Sequence, residues 1–444
     1  MPKIAGTRFN RRDFLKVVGT ASLAGMLASC TPTSAPQAQP TAAAPEAKAP
    51  AQPATKDGGE VLIGVGGWAE ESTKEVAEQL GFAETGYTIN VQIEATGAEL
   101  TSMLTAGMAS GKAPWDVLDF EDGMAITYSR SGFFEALDDL VEPDFWDDFP
   151  ENLTDMAKVW DQYEGETFRI HHNYEAQYSW YRKDWFDEKG VNPPTTWDEV
   201  AELGKVFTDE SKGVWAVEDG MVPGQMAVLL GYLALQAGGN PFDVDDKLRT
   251  VLEYIYKLMY EDKTLNPACL QKNYDQQNAD YTEDKVAYMR QWPFFYDVAR
   301  AKESWFSGEK AVICMPPVGP GGKENSTYAA GWGYGILKSA TNPEGAKELL
   351  KFLVSKENAG QMALIDTWYL INRYSVMETV GDQGMAKYLK MYSDAGVIGT
   401  RPFHEKFTEA STKLDEAAAA YLTQQIGIDQ AMQQAEDSIK AISS

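Results

Sequence analysis

The sequence predicts an α/β protein of two lobes, in which a parallel sheet is covered by helices. Its length supports two lobes, because 444 residues exceed the size of one ordinary domain. The sheet is predicted from the order of elements after residue 58, where short apolar strands alternate with helical segments. Ligands of such sheets bind beyond the carboxyl ends of the strands. Trp68 and residues 120–122 lie at the ends of predicted strands, so they are candidate binding residues.

The elements are predicted from hydrophobic periodicity and from capping signals. In the first part of the folded chain, strands are predicted at residues 60–65, 87–93, 115–120 and 168–185. Helices are predicted there through residue 78, at 100–108 and up to about 130. In the second part, helices are predicted at residues 196–207, 226–235, 248–259 and 415–442, and strands at 285–289 and 310–315. Thr196 to Glu199 matches a capping box, and residues 316–322 form a Pro/Gly loop.

The segment 328–374 combines a candidate site with a clear helix start. Trp332 lies between Gly331 and Gly333, and this Gly-Trp-Gly sequence is predicted to be a turn on a backbone with little side-chain bulk. Asn342 followed by proline and glutamate is predicted to cap a helix. That helix has one apolar face, formed by Ala346, Leu349, Leu350 and Leu353. The segment is therefore expected to help build a cleft for a small ligand.

Composition excludes some classes of partner. The net charge of -27 argues against nucleic acid, which requires a basic surface, and against docking on anionic lipid headgroups. It mildly favours a neutral or cationic ligand over an anionic one. The chain has three cysteines, of which Cys269 and Cys314 could form one disulfide or remain free thiols. Their spacing matches no metal-binding pattern.

The first 57 residues are predicted to direct export rather than to fold. Residues 10–16 resemble a twin-arginine export signal, and an apolar run too short to span a membrane follows them. The sequence before Cys30 resembles the lipobox of bacterial lipoproteins, which implies cleavage before Cys30 and lipid attachment to it. Residues 1–29 are thus a predicted signal peptide, and 30–57 a lipidated cysteine with a disordered Ala/Pro linker. The folded part is expected outside the cytoplasm, anchored to the cell membrane on its periplasmic or cell-surface side.

The folded chain resembles extracellular solute-binding proteins of ABC importers, in the carbohydrate-binding family that includes the maltose-binding proteins. The resemblance depends on the joint order of short motifs over residues 58–444. These motifs are Pro114–Val117, 131–140, 196–199, 236–239, 285–293, 330–333, 342–346 and Arg401-Pro402. At residues 368–370 the chain departs from many relatives, which have glycine and proline there.

This resemblance implies a periplasmic-binding-protein fold with hinge strands and a ligand cleft between two α/β lobes. One lobe is expected to comprise residues 58–171 with 328–365, and the other residues 172–327 with 366–444. The chain is expected to cross between lobes near residues 171–176, near 317–328 and within 359–372. Ligand binding in the cleft closes the lobes by a hinge motion, and the importer recognises the closed form.

Candidate ligand-binding residues are aromatic side chains that can lie on sugar C–H surfaces and polar groups that can fix hydroxyls. Trp68 and Asp122 are expected in the lobe of Trp332, with Trp292 across the cleft. For each of them the alternative is a structural role in packing or helix capping. The full set is Trp68, Phe120, Glu121, Asp122, Tyr174, Gln225, Trp292, Gly331, Trp332 and Trp368.

The predicted function is a monomeric, lipid-anchored binding protein that delivers a sugar or oligosaccharide to the permease of an ABC transporter. One alternative is a binding protein for a cationic or other small solute, such as a polyamine. The other is a secreted enzyme acting on glycans through Glu–Asp pairs, which is disfavoured because nothing in the sequence fixes the separation of the two carboxylates and the chain is rich in acids. No cofactor is expected. A metal site at His171 and His172 is disfavoured because adjacent residues of a strand face opposite sides.

Overall fold

The structure is a computed structural model that describes residues 58–95, 97–301, 310–322 and 326–443. The predicted signal peptide, the lipidated Cys30 and the linker to residue 57 lie outside these residues. Within the described residues, no helix has the length and apolar character needed to cross a membrane.

Strands and helices alternate along the described chain. The strands are β1 (Glu60–Val65), β2 (Thr88–Ile93), β3 (Val117–Glu121), β4 (Gln162–Tyr163), β5 (Glu166–Thr167), β6 (Ile170–His171), β7 (Glu175–Ala176), β8 (Tyr178–Arg182), β9 (Trp215–Glu218), β10 (Val286–Gln291), β11 (Ala311–Cys314), β12 (Thr327–Ala330), β13 (Trp332–Ile336) and β14 (Ile398–Thr400).

The α-helices cover the faces of the sheets. They are α1 (Glu70–Gln79), α2 (Gly97–Ser110), α3 (Asp122–Arg130), α4 (Glu151–Trp160), α5 (Lys183–Lys189), α6 (Trp197–Phe207), α7 (Met226–Gln236), α8 (Asp246–Tyr260), α9 (Tyr274–Thr282), α10 (Phe295–Arg300), α11 (Pro343–Val354), α12 (Lys356–Ile365), α13 (Tyr374–Val380), α14 (Ala386–Asp394), α15 (Phe407–Leu422) and α16 (Ile428–Ser443).

Two main sheets organise the two lobes. The first sheet has the order β2-β1-β3-β13-β6, and the second has the order β11-β8-β10-β9. Strands β2, β1 and β3 are mutually parallel, which confirms the predicted parallel arrangement. The other pairings are mixed: β13 is antiparallel to β3, and β8 is antiparallel to β10. A three-stranded sheet, β14-β12-β7, lies on the connections between the two main sheets.

The chain passes between the main sheets through short strands. It leaves the first sheet after β6 and reaches the second through β7, which is the predicted first crossing. It returns through β12 and enters the first sheet again at β13. Arg373, in the segment after α12, binds Asp148, and the hydroxyl of Tyr392 donates a hydrogen bond to the carbonyl oxygen of Cys314 in β11 at 2.5 Å. The predicted lobe boundary at residue 366 stays a prediction.

The helix that starts at Asn342 folds as predicted. The side-chain oxygen of Asn342 accepts a hydrogen bond from the backbone N–H of Gly345 at 3.0 Å. The four apolar positions of α11 are at most 1% exposed, so burial of that face anchors the helix on the first sheet. The predicted capping box at Thr196 is only half formed. Thr196 accepts from the backbone of Glu199, but the Glu199 carboxylate accepts from Thr195.

Three other predictions differ from the structure. The run 168–185 is not one long strand but β6, β7, β8 and the start of α5. The C-terminal helical segment is two helices, because the chain turns at Gln424, which has a positive φ of 61°. Cys269 and Cys314 are both free thiols, so the disulfide alternative is wrong.

Candidate ligand-binding site

The candidate site lies where the carboxyl ends of β1, β2 and β3 meet. Trp68 follows β1, Glu94 follows β2, and Glu121 ends β3. The antiparallel strand β13 starts at this same edge, because Trp332 is the register partner of Glu121. Residues far apart in sequence therefore share one edge of the first sheet, as ligand sites of parallel sheets require.

Three tryptophan rings form a cluster at this edge. The ring of Trp68 lies 5.1 Å from that of Trp332 and 6.0 Å from that of Trp368, measured between centroids. Trp332 and Trp368 are 5.6 Å apart. The rings meet edge to face or tilted, an arrangement that aromatic quadrupoles favour. Trp68 remains 49% exposed, so the cluster presents an open indole surface to solvent.

The glycines on either side of Trp332 allow close approach of backbones. A side chain at Gly333 would meet the carbonyl oxygen of Ile170 at 2.7 Å, so the two strands could not pair as they do. The backbone of Gly331 donates to the Asp122 carboxylate at 3.0 Å and accepts from the Asp122 N–H at 2.9 Å. The predicted turn at these residues is wrong, because Trp332 begins the extended strand β13.

His172 packs against the tryptophan cluster. It was not predicted as a site residue. Its N–H donates to the carbonyl oxygen of Trp332 at 2.9 Å. Its ring stacks on Tyr334 at 4.3 Å and lies 5.7 Å from the ring of Trp368. Its Nε2 pairs with the Asp119 carboxylate at 2.9 Å. One residue of the first crossing thus contacts two of the segments that carry the tryptophan cluster, and it also contacts β3 through Asp119.

Acidic residues accompany the cluster. Glu94 is 6% exposed, and burial, with Asp119 and Glu121 nearby, raises its pKa to about 9. At neutral pH it is therefore a neutral carboxylic acid that can donate a hydrogen bond. The Glu121 side chain is 29% exposed and lies 3.3 Å from Arg401, so it can accept hydrogen bonds from a ligand.

Asp122 has a structural role at this edge. It is fully buried, and its carboxylate binds both Gly331 and the guanidinium of Arg401. Burial raises the pKa of Asp122, and Arg401 opposes that shift. Arg401 also lies over the ring of Phe407 at 4.8 Å. This pair therefore joins the start of α3 to the segment that precedes α15.

The remaining predicted residues lie away from the tryptophan cluster. Phe120 is fully buried and stacks on Phe134 at 4.7 Å. Tyr174 is 2% exposed and is fixed through its backbone N–H. Trp292 is 8% exposed, and its ring lies 6.1 Å from that of Tyr328 on the connecting strand β12. Gln225 lies at the start of α7. Alternating strand residues point to opposite faces, which is why Phe120 and Glu121 separate.

A second polar group occurs at the carboxyl ends of β9 and β10. Arg290 makes a two-point ion pair with Asp219, at 2.9 and 2.5 Å. The rings of Tyr232 and Tyr274 lie 5.5 and 5.9 Å from its guanidinium. The sequence offered one signal for this pair, since a charged residue within an otherwise apolar strand usually has a buried partner. Among the described residues, no group of three His, Cys, Asp or Glu side chains is placed to hold a metal ion.

The sequence of this chain matches a known protein family. The sequence profile described as bacterial extracellular solute-binding protein matches residues 66–360. The chain belongs to this family. The match includes the second sheet, the first sheet except β1, and the helix that starts at Asn342, so it spans most of the described fold of this solute-binding protein.

Curated relatives of this solute-binding protein are similar over part of their length. A probable ABC transporter-binding protein of Deinococcus radiodurans is 27% identical over 201 residues, 42% of this chain and 46% of that protein. A probable sugar-binding periplasmic protein of Rhizobium meliloti is 24% identical over 176 residues, 36% of this chain and 41% of the relative. The match thus spans less than half the length of each relative.

Solved structures share the fold over nearly the whole folded chain of the solute-binding protein. Maltose-bound MalE3 of T. maritima has a TM-score of 0.70 at 20% identity, covering 86% of this chain and 100% of that chain. A solute-binding protein of Thermotoga lettingae, bound with α-D-tagatose, has a TM-score of 0.74 at 18% identity, covering 87% and 100%. One of Agrobacterium radiobacter, in complex with ribitol, has a TM-score of 0.73 at 21% identity, covering 87% and 99%. The fold is therefore that of two-lobed, maltose-binding-like proteins.

Proposed function

We propose that this solute-binding protein binds a sugar or polyol in a cleft between its two lobes. The observation that carries the proposal is the cluster of Trp68, Trp332 and Trp368 at the carboxyl ends of the first sheet. Indole faces lie well against the C–H surfaces of sugar rings, and a few placed polar groups fix the hydroxyls. Glu94 as a donor and Glu121 as an acceptor supply such groups beside the rings.

The second lobe supplies the opposite wall of the proposed cleft. Trp292 and Gln225 lie at a strand end and a helix start of that lobe, and both remain proposed ligand contacts. Asp122 binds the backbone of Gly331, next to Trp332, and the backbone of Trp332 itself is bound by Asn173 and His172, so these residues act as positioning groups. Closure of the two lobes on the ligand completes the site, with hinge movement in the strands that connect the sheets.

Delivery to an ABC importer is part of the proposal. Support comes from the relatives, which are named as an ABC transporter-binding protein and a sugar-binding periplasmic protein. In this proposal the mature chain is a monomer, anchored through lipid on Cys30 at the outer side of the cell membrane. We propose that the first lobe comprises residues 58–171 with 328–365, and the second lobe residues 172–327 with 366–444.

Binding without catalysis is favoured over hydrolysis of a glycan. The acid on which an enzymatic role would depend is Asp122, which is buried and bound to Arg401 and to Gly331. A carboxylate committed to two internal partners is poorly placed to transfer a proton to a substrate. Both curated relatives described above are named as binding proteins.

A thermal-shift screen tests the ligand class. A panel of monosaccharides, oligosaccharides and polyols is compared with polyamines and amino acids. A ligand at 100 times its dissociation constant adds about 2.7 kcal/mol of apparent stability, which is readily visible in a melting curve. We expect stabilisation by at least one sugar or polyol. A clear shift with a polyamine and none with any carbohydrate would refute the proposed ligand class.

A further inference from the structure

The second lobe contains a cavity of about 60 Å³. It lies between the second sheet and the helices α6, α7 and α8. For comparison, a cavity of roughly 10–15 Å³ holds one water molecule, and an apolar cavity of about 150 Å³ binds benzene. The space therefore suits a group of a few heavy atoms that is smaller than an aromatic ring.

The walls of the cavity are apolar over most of their area. Aliphatic side chains from three helices, from β9 and from the segment after α8 line it, and each is at most 9% exposed: Val200, Val217, Leu229, Leu233, Ile255, Leu258 and Leu265. Trp197 and Tyr254 add a flat wall, since their rings stack at 4.1 Å with an interplanar angle of 13°. Such walls favour a methyl or methylene group over water.

One end of the cavity is polar. Asp219 and Arg290 line it, and Arg290 is 3% exposed. Two nitrogens of the guanidinium bind Asp219, whereas Nη1 has no hydrogen-bond partner among the described residues. An unpaired buried donor is costly, so this nitrogen invites an acceptor oxygen. Because Asp219 already balances the charge of Arg290, a neutral oxygen fits better than a carboxylate.

The polar end lies on the ligand side of the second lobe. Asp219 directly follows β9, and Arg290 is the residue before the end of the parallel strand β10. Trp292 comes two residues later and contacts Tyr328. Tyr328 in turn lies within electrostatic range of Arg290 and of Asp122, whose backbone and side chain hold Gly331 in the first lobe. The polar end of the cavity therefore lies at the carboxyl ends of β9 and β10, next to the residues of the second lobe that are proposed to border the cleft.

We propose that this cavity is a subsite for an acetyl group on the bound carbohydrate. The methyl group enters the apolar walls, and the carbonyl oxygen accepts a hydrogen bond from Nη1 of Arg290. An acetyl group has three heavy atoms and one neutral acceptor, which matches both the volume and the single free donor. This inference rests on the proposed function and narrows its substrate class to acetylated sugars.

Isothermal titration of matched sugar pairs tests the subsite. N-acetylglucosamine is compared with glucose, N-acetylgalactosamine with galactose, and diacetylchitobiose with cellobiose. We expect the acetylated member of at least one pair to bind at least about tenfold more tightly than its parent sugar, because filling a small apolar pocket usually raises affinity by that factor or more. Equal or weaker binding of every acetylated member would overturn the subsite and leave the proposed function standing. Binding of no carbohydrate at all would overturn both.

Two variants and a matched control locate the effect. Val200→Leu puts an extra carbon into the cavity, and Arg290→Lys removes Nη1 but keeps a cation beside Asp219. Each is expected to bring the affinity ratio of the acetylated sugar to its parent close to one. Val206→Leu is the control, because Val206 lies on the same helix but is 37% exposed. A ratio that survives both cavity variants would overturn the assignment, and melting curves show that each variant is folded.

Discussion

Removal of the Trp68 ring should weaken ligand binding strongly while costing little stability. An indole offers up to about 250 Å² of surface, and Trp68 is 49% exposed, so roughly 120 Å² is free to contact a ligand. At about 25 cal/mol per Å² this contact is worth about 2–3 kcal/mol. The Trp68→Ala variant should therefore bind about 30- to 150-fold more weakly. Its fold should persist, because half of the ring already lies in solvent.

Isothermal titration with the carbohydrate that stabilises the protein most measures this loss. Trp215→Ala is the matched control, since Trp215 is also a partly exposed tryptophan but begins β9, at the end of the strand away from the proposed cleft. An unchanged affinity in Trp68→Ala would refute the reasoning. So would an equal loss in both variants, because it would indicate a general effect of removing tryptophan.

Three further predictions follow from the contacts at the same edge. Trp332→Ala should weaken binding by at least about tenfold without unfolding the chain, and unchanged affinity would remove Trp332 from the site. Arg401→Ala leaves the buried Asp122 without its cation and should lower the free energy of unfolding, measured with urea, by about 3–5 kcal/mol. Arg130→Ala breaks an exposed ion pair between the same two segments and should lower it by less than about 1 kcal/mol. Equal losses in the two variants would contradict the argument from burial. In the folded chain Glu94 stays protonated until about pH 9, whereas its ordinary pKa is 4.5, so stability should fall as pH rises between these values. Glu94→Gln should then melt above the parent at pH 8 but level with it at pH 4, and the exposed Glu99→Gln should track the parent at both.

Local rules predicted the elements of the first sheet well. Strand β1 is a short apolar run, β2 alternates in hydrophobicity, and the helix at Asn342 has its cap, proline and apolar face in the local sequence. These signals act over a few residues, so they can be read without tertiary structure. The same rules failed for residues 168–185, where one aromatic run is divided among three short strands of different sheets. Apolar periodicity does not show where a chain leaves one sheet for another.

The candidate site was predictable only in part, because its pairs are remote in sequence. Strand ends suggested Trp68 and Trp332, and the structure brings their rings together. His172 was not predicted as a site residue because both of its partners are remote in sequence. Asp119 lies 53 residues before it, and Trp332 follows only after all strands of the second sheet. The burial of a strand-end residue also depends on remote contacts. Trp292 is 8% exposed, which its position at the end of a strand does not predict.

The contacts of the acids favour a neutral ligand over a polyamine, although the chain has a net charge of -27. Burial keeps Glu94 protonated, with a pKa of about 9. Asp119 is hydrogen-bonded by His172, and Glu121 shares the guanidinium of Arg401. Little uncompensated negative charge is therefore left beside the tryptophan rings. A dication would have to ionise Glu94 or displace these partners, whereas a polyol can use the same groups as donors and acceptors without changing their protonation.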